Sequence, residues 1–125
     1  TLVLPAQWPE VAILYGCVNP SLSVVSSLLH AGVKGLVWTG TGAGQLSVGE
    51  LETIKSWPGV LPLMLRANRC GRGPVHPCAL QDELGLLAAG TLNPQKARIL
   101  LLLALIAGME RAELSALLAS IAINA

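Results

Sequence analysis

The sequence predicts an α/β sandwich: a small parallel sheet of about four strands, flanked by helices that complete three layers. Three observations predict it. Short continuous apolar runs alternate with stretches of helical period. The runs lack polar alternation, which is the pattern of strands buried on both faces, as in parallel sheets. Hydrophobic residues make up 53% of the 125 residues and charged residues only 12%, against roughly 25% charged in ordinary soluble domains. Such a chain buries one good core. It is too apolar to be disordered, and part of its surface is expected to be covered by another body.

Residues 1–10 hold Pro5 and Pro9 and read as a linker or docking segment with Trp8 as an anchor; residues 11–125 read as one α/β domain. Val11-Ala-Ile-Leu-Tyr-Gly-Cys-Val18 is the first strand, bounded by Asn19-Pro20. Pro20 or Ser21 opens a helix in which Leu22, Val25, Leu28 and Leu29 recur at helical spacing, and Gly32 is the expected closing residue. Val33 to Gly40 is the second strand, followed by a glycine-rich loop from Thr41 to Gln45. Ser47 caps a helix to about Trp57, with Glu50 completing a capping box. Val60 to Arg66 is the third strand, with Pro62 near its start. A long loop from Ala67 to Asp82 follows, and Leu84 to Gly90 is a short fourth strand or an extended turn. Asn93 caps a helix with Pro94 at its first position, running to about Ala107 and ending at Gly108. It is apolar nearly all round from Ile99 to Ile106, which predicts burial on most sides. A final amphipathic helix runs from Glu110 or Arg111 to Ile123.

The formal net charge of +1 excludes the strong basic excess of a nucleic-acid reader and of a polybasic membrane-surface module. Thr1 to Glu10 has no basic n-region and is broken by Pro5 and Pro9, so these residues are not expected to act as a secretory signal. The longest uncharged apolar run, Ile99 to Met109, has eleven residues; a membrane span needs about 20. The first residue is threonine rather than methionine, as expected of an excised piece or a processed product. Cys17, Cys70 and Cys78 form an odd set, which points to a reduced, cytoplasmic setting rather than a disulfide framework. With His76 they spell C-x5-H-x-C, which matches no zinc pattern and lacks a fourth ligand.

Gly40-Thr-Gly-Ala-Gly44 follows a strand, as a dinucleotide-binding loop would, but the third glycine of that fingerprint would fall at position 45, which is Gln45. A loop lining some other site at the carboxyl edge of the sheet is the stronger reading. Arg66, Arg69 and Arg72 could bind an anion; alternatively they hold their loop by pairing with Asp82 and Glu83. His30 sits at a helix end, where a cation suits the dipole, and no nucleophile elbow exists. A complete catalytic set within these residues is not expected.

Five segments taken in order carry a resemblance: Lys34-Gly-Leu-Val, Gly40-Thr-Gly-Ala-Gly44, Arg69-Cys-Gly-Arg-Gly73, Asp82-Glu-Leu-Gly85 and Gly90-Thr-Leu-Asn-Pro-Gln-Lys-Ala-Arg-Ile-Leu-Leu. From about Val11 to Ile121 the chain resembles the carboxy-terminal domain of bacterial L-asparaginases. The resemblance implies a two-domain amidohydrolase that converts asparagine to aspartate and ammonia, without cofactor or metal, as a homodimer or homotetramer. It implies that the nucleophilic threonine and its partners lie in an amino-terminal domain. Neither the T-G-G-T-I-like nor the H-G-T-D-like motif of that domain occurs here, so this chain would supply dimer surface and substrate contacts. Gln45 stands where the family usually has an asparagine that reaches the neighbouring subunit's site. The family's later acidic residue would fall near Cys78, so Asp82 or Glu83 would take its role. Two other readings share the architecture: a non-enzymatic α/β module for dimerisation or ligand binding, and the asparaginase-like subunit of a tRNA-dependent amidotransferase.

Overall fold

The structure is a computed structural model that describes residues 5–15, 22–40, 46–68, 75 and 78–124. The elements run β1 (Val11–Tyr15), α1 (Leu22–Ala31), β2 (Gly35–Gly40), α2 (Val48–Lys55), β3 (Leu63–Asn68), α3 (Ala79–Glu83), β4 (Leu86–Ala88), α4 (Pro94–Ile106) and α5 (Arg111–Asn124). The four strands form one parallel sheet in the order β1-β2-β3-β4. With every crossover right-handed, a monotonic order puts α1 and α2 on the same face. The core divides accordingly. Val25 and Leu29 of α1 and Ile54 of α2 pack on Leu36, Trp38, Met64 and Leu86. On the other face Ala97, Leu101 and Ala104 of α4 and Leu114 of α5 pack on Val11, Val37, Leu65 and Leu87. Alternate residues of β2 and β3 therefore face alternate layers, and both layers are apolar, which is why these strands show no polar alternation.

Local chemistry sets the helix ends where the sequence predicts. The Ser47 hydroxyl accepts from the Glu50 amide at 3.2 Å, and the Ser47 amide donates to Glu50 Oε1 at 2.9 Å, the reciprocal capping box at the start of α2. Asn93 Oδ1 accepts from the Lys96 amide at 2.8 Å, and Pro94 opens α4. Gly108 closes α4 at φ 74°. Its amide donates to Leu105 O and the Met109 amide donates to Ala104 O, which together make a Schellman motif. Gly32 closes α1 at φ 75° in the same left-handed region. Gly35 is required for space: a Cβ there would lie 2.9 Å from Leu101 Cδ2, so the start of β2 is the seat of α4.

Some expectations change. The third strand starts at Leu63 rather than Val60: Pro62 has no amide to give to a ladder, and the first bond runs from the Leu63 amide to Lys34 O. It continues through Ala67 and Asn68, so the long loop begins later, and its end forms α3 instead of remaining irregular. Leu86–Ala88 is a strand and not an extended turn. The first strand is seen to Tyr15; Gly16 to Val18 lie outside the described residues. Helix α4 is not buried on most sides. Pro94, Ala97, Leu101 and Ala104 face the sheet, whereas Ile99 is 54% exposed and Leu103 40%, because a helix lying on a sheet offers it one face only. Helix α5 is buried along one stripe, with Leu114 buried and Leu117, Leu118 and Ile121 half-buried, but it is less amphipathic than expected, because its exposed positions include Ala112, Ala116 and Ala119.

Candidate functional site

Open α/β sheets place ligands beyond the carboxyl ends of their strands. Here those ends are Tyr15, Gly40, Asn68 and Ala88. The order β1-β2-β3-β4 contains no reversal, so this sheet lacks the crevice that opens where neighbouring crossovers diverge to opposite faces.

Two connections frame the edge. The first leaves β2 at Gly40 and re-enters described structure at Leu46, which is buried, and Ser47, which caps α2. Gln45, the first substrate-contact candidate, lies outside the described residues, as does Thr41. It immediately precedes the buried Leu46, and the capping box follows. Thr39 is buried, and its hydroxyl donates to Leu14 O at 2.6 Å. That hydroxyl ties β2 to β1 and is not poised as a nucleophile.

The second connection runs from β3 to β4. Its midpoint is pinned where the Val75 amide donates to Gly90 O at 2.8 Å in an isolated antiparallel bridge. Its end is α3, with Cys78 at the N-cap, and Gly85 at φ 85° makes the turn into β4. Asp82 is half-buried on α3 and Glu83 is exposed. Arg69 and Arg72 lie outside the described residues, as do Cys17, Cys70 and His76. Of the three arginines singled out from the sequence, Arg66 is fully buried, at 0% exposure, and its Nε donates to Leu86 O at 3.2 Å. Burial lowers its pKa, whereas the Asp82 carboxylate and then the Cys78 thiol act to raise it. Anion binding by Arg66 is disfavoured, because a side chain closed to solvent cannot meet a diffusing anion.

Sequence reasoning missed the polar residues that accompany Arg66. Asn68 and Gln81 are both buried, one at the end of β3 and the other on α3. The run Ala79-Leu-Gln-Asp-Glu83, between Pro77 and Gly85, is composed mostly of helix formers and could have revealed α3.

Elsewhere the structure offers little chemistry. His30, exposed at the end of α1, meets Trp57 edge-on at 4.7 Å between ring centroids. A groove of about 520 Å³ opens at the opposite, amino-terminal edge of the sheet, lined by Trp8, Glu10, Lys34, Leu105 and Ile106 among others. Trp8 is 52% exposed there. Among the described residues no group of His, Cys, Asp and Glu could hold a metal ion, and no helix is long and apolar enough to cross a membrane.

Comparison with known proteins gives a consistent result. The Glutaminase/Asparaginase C-terminal domain family matches residues 10–118. L-asparaginase 2 of Bacillus subtilis is 40% identical over 99 residues, covering 79% of this chain and 26% of that protein. L-asparaginase 2 of Escherichia coli is 37% identical over 101 residues, covering 79% and 29%. A crystal structure of a probable cytoplasmic L-asparaginase from Campylobacter jejuni superposes with a TM-score of 0.76 at 31% identity, covering 90% of this chain and 35% of that one. The match thus spans less than a third of the length of these curated relatives. A parallel sheet without a crevice of its own, capped loops at its carboxyl edge and this extent of similarity agree: the chain belongs to the glutaminase/asparaginase C-terminal domain family.

Proposed function

We propose that this chain is the carboxy-terminal part of an L-asparaginase, an amidohydrolase that releases ammonia from a small amino-acid amide. In this reading it supplies association surface and substrate contacts to a site whose nucleophile belongs to an amino-terminal domain. One observation carries the reading: the family match covers residues 10–118, yet the matched stretch is only 26% of the Bacillus subtilis L-asparaginase 2. The engaged Thr39 hydroxyl supports it, since the threonine at the carboxyl edge of β2 is committed to Leu14 O.

Gln45, Asp82 and Glu83 are the proposed substrate-facing groups. A carboxylate within about 4–6 Å of an ammonium favours the charged form of both, and an ionised carboxylate has lone pairs for more than one donor. A side-chain amide offers a donor and an acceptor to a zwitterion. Fixing both ends of the amino acid is how this edge would contribute to rate, through positioning and not through bond-making. The exposed Ile99 and Leu103 on α4 support association with another copy of the chain. Residues 1–10 serve as a linker or docking segment toward the amino-terminal domain, and the odd cysteine count supports a cytoplasmic setting.

The test is ammonia release from L-asparagine. The isolated chain is expected to release none, and mixing it with a separately produced amino-terminal asparaginase domain is expected to restore turnover. Turnover by the isolated chain, or an inactive mixture of folded parts, sinks the proposal.

A further inference from the structure

An open sheet has two edge strands, and the two end differently here. Strand β4 is three residues long, and just past it the Gly90 carbonyl is taken by the Val75 amide at 2.8 Å. So short an edge offers little to an incoming strand. Strand β1 is five residues long and has, among the described residues, a neighbour on one side only. Its sequence, Val-Ala-Ile-Leu-Tyr, holds no charge and no proline. It therefore carries none of the residues that commonly blunt an edge, and its protection must come from elsewhere in the fold.

The register shows which backbone groups are left over. The Glu10 carbonyl accepts from the Gly35 amide at 3.2 Å, and Val11 stands opposite Gly35. In a parallel ladder alternate residues of a strand bond to a given neighbour, so Ala12 and Leu14 turn their amides and carbonyls to β2. The Thr39 hydroxyl on Leu14 O agrees with that direction. Val11, Ile13 and Tyr15 turn theirs to the open side. Helix α4 meets β1 on that side: Arg98 Nε donates to Val11 O at 3.0 Å, across 87 residues of chain. Three residues earlier on α4, Gln95 Nε2 donates to the Tyr15 hydroxyl at 3.4 Å. Arg98 thus occupies an acceptor that a paired strand would use. A strand laid against β1 would also strip water from the half-buried guanidinium and give it no anion in return, which is costly.

The groups on the open side are complementary to themselves. With the β1 strand of a second copy turned antiparallel about Ile13, the two Ile13 residues would exchange both amide–carbonyl bonds, and each Tyr15 amide would meet the other copy's Val11 carbonyl. We infer that the outer edge of β1 is a pairing surface for the same strand of a second copy, and that Arg98 of α4 holds it shut. This goes beyond the proposed function and does not depend on it. The association expected of Ile99 and Leu103 uses the outer face of α4 and leaves β1 unpaired, and ammonia release has no bearing on the edge.

The experiment follows amide hydrogen exchange at Ile13, at micromolar and at submillimolar concentration, with sedimentation velocity alongside. It compares the wild-type chain, Arg98→Met, Arg98→Lys and the Arg98→Met/Ile13→Pro double variant. In the wild type the Ile13 amide is expected to exchange at one rate at both concentrations. In Arg98→Met it is expected to slow about tenfold at the higher concentration, with sedimentation showing a dimer of the wild-type species. Arg98→Lys keeps a charge at the edge and is expected to behave as the wild type. Ile13→Pro removes the outward amide without removing a donor from the ladder to β2, and is expected to abolish the pairing seen in Arg98→Met. A merely structural role for Arg98 predicts the opposite sign: losing its contact would loosen β1 and quicken exchange at Ile13 at every concentration.

Concentration-dependent slowing at Ile13 in the wild type would show the edge already open and overturn the inference. Exchange at Ile13 that is unchanged or quicker in Arg98→Met overturns it too, as does pairing by Arg98→Lys equal to that of Arg98→Met. Should Arg98→Met fail to fold, Arg98→Gln, which removes the charge and keeps a polar end for solvent, decides in its place.

Discussion

The two connections at the carboxyl edge of the sheet are fixed in different ways. The connection from β2 to α2 is fixed by its own neighbours in sequence: Leu46 is buried, and the Ser47–Glu50 box closes within three residues. The connection from β3 to β4 is fixed from a distance. Arg66 reaches Leu86, twenty residues on, and Val75 bonds to Gly90. A locally closed motif tolerates change around it, because its partners come with it. A connection held by distant contacts keeps its place only in the folded sheet, where those partners are brought beside it.

The largest effect should come from the distant contact. Arg66→Met leaves the Leu86 carbonyl without its charged donor. It is expected to lower stability by about 2–3 kcal/mol, read as a shift in the urea midpoint at constant slope. A loss below about 0.5 kcal/mol would mean that the β3–β4 connection is held by something else. Gly85→Ala comes next. Its φ of 85° is left-handed, and a Cβ would stand 2.9 Å from Arg111 Nη1. The strain of that backbone region is about 1–2 kcal/mol for a residue with a side chain. Thermal denaturation of the purified variant checks it, and an unchanged midpoint would show that the turn after α3 can relax. The smallest effect belongs to the local motif. Ser47→Ala removes one half of the capping box and is expected to remove about 1 kcal/mol, while amide hydrogen exchange at Leu84, in the β3–β4 connection, stays at its wild-type rate. A change at Leu84 in this variant would erase the distinction between the two connections.

How much was legible follows the same division. The first three strands, α1, α2, α4 and α5 could be read because their signals are local: apolar runs, Ser47 with Glu50, Asn93 with Pro94, and glycines at positions 32 and 108. Leu84 to Gly90 remained open between strand and turn, since three paired residues leave too short a pattern. Helix α3 was passed over, because a helix of five residues is too short to show a period, and only its helix-forming composition marked it. The over-burial expected for α4 arose from the same gap. Periodicity states which residues are apolar, and only the packing states which of them meet the sheet, so Ile99 and Leu103 turned out to be exposed. At the candidate site, Asp82 and Glu83 were named from the chain, but their different settings, one half-buried and the other exposed, were not.

What the sequence alone determined is the class of fold, the order of its main elements and the family, because strand and helix signals and motif spacing are properties of neighbouring residues. What only the tertiary structure decided is which arginine is closed off from water, which threonine hydroxyl is already engaged, and where the acidic turn sits. Those outcomes depend on burial and on contacts between residues far apart in the chain. No local pattern encodes them, since the free energy of a buried charge is set by whatever the fold brings beside it.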